Sequence, residues 1–284
     1  MNLQNILNQI EQVDPEVYDK LDTRRKAMKK FANASGKIAL AALPLALGSM
    51  FNKAYGQTTT GAAGVLNFAL TLEYLESEFY KAGVATAGLI PAGPGLTAIT
   101  KIRDHEVAHV NFLKTAITAA GATPVSFTAA SFDFTAKGTF PTVFSDYGVF
   151  LAVAQAFEDT GVRAYKGQAG NLQGTANRPY LTAALQIHSV EGRHAAHIRQ
   201  MRRANGLLVP AGVVVKPYIT LNQSGIGSPA VDGNYAGEEL TTQAGVNIIG
   251  IGGNAYIDSK AASESFDEPL TMAQVQALVA PFFK

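Results

Sequence analysis

Glu106-Val107-Ala108-His109 and Glu191-Gly192-Arg193-His194 are two copies of one short pattern, a glutamate followed three residues later by a histidine. Each copy begins at the same distance after another glutamate, which is Glu73 in the first case and Glu158 in the second. Residues three apart on a helix project onto one face. The repeat therefore predicts two similar helix pairs, each with a glutamate on its first helix and Glu-x-x-His on its second.

Helical periodicity extends outward from these motifs into four segments. A glycine stands at each expected helix end. We expect an all-α four-helix bundle with short connections inside each pair and a long crossover, 121–141, between the second and third helices. The four segments run from about Ala62 to Gly83, Gly95 to Ala120, Thr142 to Ala169 and Asn177 to Asn205.

The four glutamates align with the apolar positions of their segments, so we expect all of them inside the bundle. Burying carboxylates together without compensation is very costly, and no Lys or Arg lies on these inner stripes. Four carboxylates balance two divalent cations, and an oxygen-rich donor set with two imidazoles suits iron or manganese. The predicted ligands are Glu73, Glu106, His109, Glu158, Glu191 and His194.

Other polar residues near the motifs leave alternatives open. Tyr80 and Tyr165 each follow a motif glutamate by about two helical turns and share its face. They are candidates to hydrogen-bond the ligand carboxylates or to donate single electrons, and ordinary core tyrosines are the alternative. Glu76 competes with Glu73 as a ligand. We expect His105 at the surface or at a helix interface, and Asp159 is a candidate to orient a ligand histidine from a flanking helix.

This constellation resembles the ferritin-like di-iron and di-manganese carboxylate superfamily. Leu72-Glu73-Tyr74 with Tyr80 resembles the first ligand helix of ferritins, and the segments 66–76 and 266–271 resemble the exported ferritin-like and desiccation-related group. The resemblance implies a ferritin-like four-helix bundle in which Glu73 is a terminal ligand. The tail does not resemble the fifth helix of cage ferritins, which argues against a storage shell.

The flanking regions complete the domain organisation that we expect. Residues 1–57 resemble a twin-arginine export signal: Arg24-Arg25 precedes an apolar run, 38–51, that is shorter than the roughly 20 residues of a bilayer span. A membrane anchor or a basic amphipathic arm is the alternative. The bundle would then occupy 58–206, and a loop-rich C-terminal extension, 207–284, would pack on it and end in a short helix starting at Thr271.

Composition narrows the function further. Cysteine is absent, which excludes disulfides, thiol catalysis and cysteine-held iron–sulfur clusters, and a net charge of +1 gives no reason to expect nucleic acid as a partner. The resemblance implies a dinuclear iron or manganese centre with redox chemistry on oxygen, peroxide or Fe(II) in the periplasm or cell envelope. The alternative is a non-catalytic metal-binding or stress-protection protein. The expected partners are metal ions and small oxidants, with no stable membrane span after processing and with a homo-oligomer left open.

Overall fold

The computed structural model describes residues 61–284, and the predicted export signal lies outside this range. Four long helices pack as two hairpins, α1 with α2 and α3 with α4, and the hairpins meet through α1–α3 and α2–α4 contacts. The connection between α2 and α3 is long, as predicted, and the all-α four-helix bundle is confirmed. The helices are α1 (Ala62–Ala85), α2 (Pro94–Ala119), α3 (Tyr147–Ala169) and α4 (Arg178–Asn205).

Two helix ends differ by a few residues from the approximate predicted ones. The third helix begins at Tyr147, later than expected, because Asp146 caps it by accepting hydrogen bonds from the backbone N–H groups of Gly148 (2.7 Å) and Val149 (3.1 Å). The first helix continues past Gly83 to Ala85. Gly83 serves close packing instead of termination, because a Cβ at this position would lie 2.3 Å from Cε2 of Phe150 on α3.

An aromatic cluster joins the crossover to one end of the bundle. The ring of Phe79 on α1 stacks on Phe150 of α3, with 4.8 Å between ring centroids, and also contacts Phe134 and Phe144 of the crossover. The backbone N–H of Asp133 donates to the carbonyl of Phe282 at 2.8 Å. The C-terminal end of the chain therefore fastens the crossover in place.

Buried arginines on α3 and α4 hold the C-terminal extension against the bundle. Arg163 pairs with Glu238 at 2.7 Å and donates to the carbonyls of Ala236 and Glu268, each at 2.8 Å. Arg202 donates to the carbonyls of Leu208 and Gly225 at 2.9 and 2.8 Å. These hydrogen bonds hold the backbone of the extension, and apolar side chains such as Ile219 and Ile226 pack on α3 beside them.

The extension has little regular structure. Two short strands, β1 (Thr242–Gln243) and β2 (Val246–Asn247), pair antiparallel, and the short helix α5 (Ser259–Ser263) follows. The last helix, α6 (Met272–Val279), follows Thr271 as predicted, and Thr271 and Gln274 form a capping box at its start. Within residues 61–284, no helix combines the length and the apolar character needed to cross a membrane.

Candidate metal centre

The bundle brings all six predicted ligands to one place in its interior. The four glutamates have no exposed surface, and His194 is 5% exposed. Their donor atoms form two sets, and within each set the atoms lie within 4.8 Å of one another. Glu106 and Glu191 belong to both sets. The first set is Glu73, Glu106, His109 and Glu191, and the second is Glu106, Glu158, Glu191 and His194.

The shared carboxylates turn one oxygen toward each histidine. Nδ1 of His109 lies 3.0 Å from Oε2 of Glu106 and 3.2 Å from Oε1 of Glu191. Nδ1 of His194 lies 2.9 Å from Oε1 of Glu106 and 3.6 Å from Oε2 of Glu191. Each carboxylate thus spans the space between two positions, as a bridging metal ligand does.

The outer glutamates complete the two positions. Oε2 of Glu73 lies 3.1 Å from Nδ1 of His109, and Oε2 of Glu158 lies 3.3 Å from Nδ1 of His194. Each position therefore has one histidine, one glutamate of its own and two shared glutamates.

Several of these buried atoms lack hydrogen-bond partners. In the described part of the chain, none of the following has a partner of acceptable geometry: Oε1 of Glu106, Oε2 of Glu158, both carboxylate oxygens of Glu191, and Nδ1 of His194. The close approach of His194 to Glu106 is therefore a contact without a proper hydrogen bond. Buried polar atoms that converge without partners are what a cation site requires, so these residues fit a metal centre, and oxygen-rich donors with two imidazoles fit iron or manganese.

A comparison with protein families identifies the domain. A family model described as a ferritin-like domain matches residues 61–204, which include all six candidate ligands and both tyrosines. The chain belongs to the ferritin-like domain family. No curated protein and no solved structure matches it.

The two tyrosines of the ferritin-like domain make reciprocal contacts between the hairpins. Tyr80 on α1 donates a hydrogen bond to Oε1 of Glu158 on α3 at 2.5 Å, and Tyr165 on α3 donates to Oε1 of Glu73 on α1. Each tyrosine thus contacts the glutamate of the opposite helix, and the contact leaves the other carboxylate oxygen facing a histidine. Burial raises the pKa of both phenols well above the ordinary value, so both stay neutral donors.

Burial and mutual contacts together set the protonation of the candidate ligands when no cation is bound. Burial raises the pKa of Glu106 and of Glu158 to about 7, although contacts with the histidines act in the opposite direction. Burial alone would lower the pKa of His109 and His194, but the surrounding carboxylates outweigh it and raise the pKa of both imidazoles. The metal-free centre therefore stores protons at neutral pH.

Of two further residues, His105 lies where it was expected and Asp159 does not. His105 lies at the interface of α2 and α4, where its Nδ1 is 3.0 Å from Nε2 of His194, so it contacts the histidine on the side away from the carboxylates. Asp159 does not orient a ligand histidine, and that interpretation was wrong. Its carboxylate instead accepts hydrogen bonds from Arg199 (3.1 and 2.5 Å) and Tyr235 (2.8 Å).

We expect the metal-free protein to lose stability as the pH rises from about 5 to about 8. Above the ordinary pKa of 4.5 and up to about 7, the folded chain holds protons at Glu106 and Glu158 that the unfolded chain releases. The free energy of unfolding therefore falls across this window. His109 and His194, whose pKa is raised above 6.5, extend the loss to higher pH.

Chemical denaturation of chelator-treated protein at several pH values measures this effect. One pKa unit corresponds to about 1.4 kcal/mol, so the total loss should exceed about 1 kcal/mol. The double variant Glu106→Gln/Glu158→Gln should show a flatter pH dependence. An unfolding free energy that stays constant between pH 5 and 8 in the unaltered protein would contradict the expectation.

Proposed function

We propose that the ferritin-like domain holds a dinuclear iron or manganese centre and uses it for redox chemistry on oxygen, peroxide or Fe(II). The observation that carries this proposal is the sharing of Glu106 and Glu191 between two ligand sets. The position on the His109 side is completed by Glu73, and the position on the His194 side by Glu158. Two adjacent positions with two common carboxylates are the arrangement that a pair of bridged ions requires.

Charge balance supports two divalent ions. Within residues 61–284, the ion pairs of the four glutamates are all made with His109 and His194. The buried arginines of α3 and α4 are occupied elsewhere: Arg163 with Glu238, Arg199 with Asp159, and Arg202 with Gln155 and backbone carbonyls of the extension. Two histidines offset at most two of the four carboxylate charges, so external cations are the natural source of the remaining compensation.

Bound iron or manganese would supply one-electron redox chemistry toward oxygen or peroxide. The chain's own contribution is to fix the carboxylates. Tyr80 holds one oxygen of Glu158 and Tyr165 holds one oxygen of Glu73. The remaining oxygen of each outer glutamate then points to a single metal position.

A non-catalytic role is the second candidate, and the closed character of the centre favours it. All four glutamates have zero exposed surface. The centre is nearly closed to solvent, with the His109 side chain 12% exposed, and closed sites are typical of structural metal centres, whereas catalytic ones keep an open ligand position. In this case the ions would mainly hold the four helices together, as in a stress-protection protein of the desiccation-related type.

Metal content should distinguish shared from outer glutamates. Glu106→Ala and Glu191→Ala should each lose both ions, because each removes a ligand from both positions. Glu73→Ala and Glu158→Ala should each lose one ion and keep the other.

Mass spectrometry of natively purified protein gives the number of ions per chain. Glu78→Ala is the matched control on α1, since Glu78 pairs with Lys81 at the surface. Unchanged metal content in both Glu106→Ala and Glu191→Ala would contradict the ligand assignment.

Activity separates the two candidate functions. Protein that holds about two ions per chain should release oxygen from hydrogen peroxide or consume oxygen in the presence of Fe(II), and an oxygen electrode measures both. The metal-depleted Glu106→Ala variant should do neither. Full metal content without either reaction would favour the structural role.

We further propose that the protein is exported to the periplasm or cell envelope. The support is the N-terminal pattern of Arg24-Arg25, an apolar run and small residues before Gln57. Sequencing the N-terminus of protein recovered from the cell envelope fraction should find Gln57 first. Changing both Arg24 and Arg25 to Lys should hold the full-length chain in the cytoplasm. An intact N-terminus on membrane-bound protein would favour the anchor alternative.

A further inference from the structure

Two neighbouring cavities lie beneath the C-terminal helix α6. The outer cavity has a volume of about 120 Å³ and lies between the crossover, α3, the extension and α6. The inner cavity has a volume of about 10 Å³, which is close to the space that one water-sized molecule needs. Phe157 of α3 and Val279 of α6 line both cavities, so their side chains form the partition between them.

The inner cavity borders the proposed metal centre. Its walls include Glu76 of α1 and Gly161 of α3, which the internal repeat matches to each other. A Cβ on Gly161 would lie 3.8 Å from Cγ and 3.9 Å from Oε2 of Glu191. Glu191 is one of the two shared candidate ligands, and its Oε2 faces His194. Because Gly161 has no side chain, a molecule in the inner cavity can approach this carboxylate.

The outer cavity connects this region with the protein surface. Thr139, Ala230 and Pro281 belong to its wall and are exposed. Most of the wall is apolar, and within the described part of the chain no charged side chain lines it. A cation would lose its hydration there without compensation, whereas a small neutral molecule would not. The outer cavity therefore suits a neutral molecule better than Fe(II).

The partition between the cavities has one firmly packed side and one smaller side. The ring of Phe157 packs edge-on against Phe282 and Phe79, with 4.7 and 5.1 Å between ring centroids. Val279, the last residue of α6, is the smaller of the two partition side chains. Its size therefore sets the width of any passage from the outer to the inner cavity.

We propose that the two cavities are the route by which a small neutral oxidant, oxygen or hydrogen peroxide, reaches the centre, and that Val279 sets its size limit. This inference rests on the proposed redox function. It explains how a centre whose glutamates have no exposed surface can react with dissolved molecules. It also favours oxygen or peroxide over Fe(II) as the molecule that enters beneath α6.

Single-turnover oxidation of Fe(II)-loaded protein tests the route. Hydrogen peroxide and tert-butyl hydroperoxide each take two electrons and two protons as the O–O bond breaks, giving water alone or water with tert-butanol, and stopped-flow absorbance measures the rate. Val279→Ala widens the partition and should raise the rate of the larger peroxide relative to the smaller at least about tenfold, the discrimination typical of one or two methyl-sized groups. Oxygen, used in a separate run, shows which neutral oxidant reacts faster.

Val275→Ala is the matched control. Val275 lies one turn earlier on α6 and is fully buried, but it lines neither cavity. The substitution removes the same atoms from the same helix, so it should lower stability similarly and leave the ratio of the two rates unchanged. Iron content should equal that of the unaltered protein in both variants.

Two variants should close the route. Val279→Phe places a ring toward the outer cavity, and Gly161→Ala places a methyl group at ordinary contact distance, 3.4 Å, from Oε1 of Glu76 in the wall of the inner cavity. Both should slow oxidation by either peroxide. Metal-free crystals under xenon pressure give a readout without activity, because xenon binds apolar cavities. Xenon should occupy the outer cavity of the unaltered protein and be lost in Val279→Phe.

The outcomes separate the route from the centre. Unchanged oxidation rates in Val279→Phe and Gly161→Ala at full iron content would overturn the route and leave the centre standing. Slowing by Ala184→Leu instead would also overturn it, because Ala184 lines a different, apolar cavity beside Tyr165. Unaltered protein that binds no Fe(II), or whose iron reacts with none of the oxidants, would overturn the proposed function and this inference with it.

Discussion

Four glutamate side chains without exposed surface meet at one point between four helices, and the rest of the fold is organised around this burial of charge. Donor atoms from all four helices converge to within 4.8 Å of one another in each set. Each helix must therefore keep both its axial position and its rotation about its own axis. Apolar packing alone tolerates small shifts in register. A centre of this kind does not, because a displaced carboxylate becomes an uncompensated buried charge.

Separate contacts supply this precision away from the centre. Gly83 allows Phe150 to approach α1 closely, which sets the spacing of α1 and α3. The arginines of α3 and α4 are engaged by Glu238, Asp159 and backbone carbonyls of the extension. This arrangement keeps cationic side chains away from the ligand carboxylates while it anchors the extension. The fold thus preserves the negative charge of its interior.

The sequence predicted the six converging side chains because helical periodicity and the spacing of the repeat determine which face each residue occupies. The sequence pattern did not predict which side chains make contact between helices. The partner of Tyr80 is Glu158, not the glutamate on its own helix, and that pairing depends on the axial alignment of α1 and α3. Asp159 follows a ligand in sequence but faces Arg199 and Tyr235, because residues one apart on a helix point to different sides.

The two halves of the repeat carry the same candidate ligands, but the residues around those ligands differ between the halves. Glu76 has Gly161 as its counterpart, and His105, which contacts His194, has Val190, which cannot form a hydrogen bond to His109. The second departure places an imidazole beside His194 that has no counterpart beside His109. Two hairpins with identical surroundings would give two equivalent positions. The surroundings of the two donor sets are therefore unequal, although the two sets have the same composition.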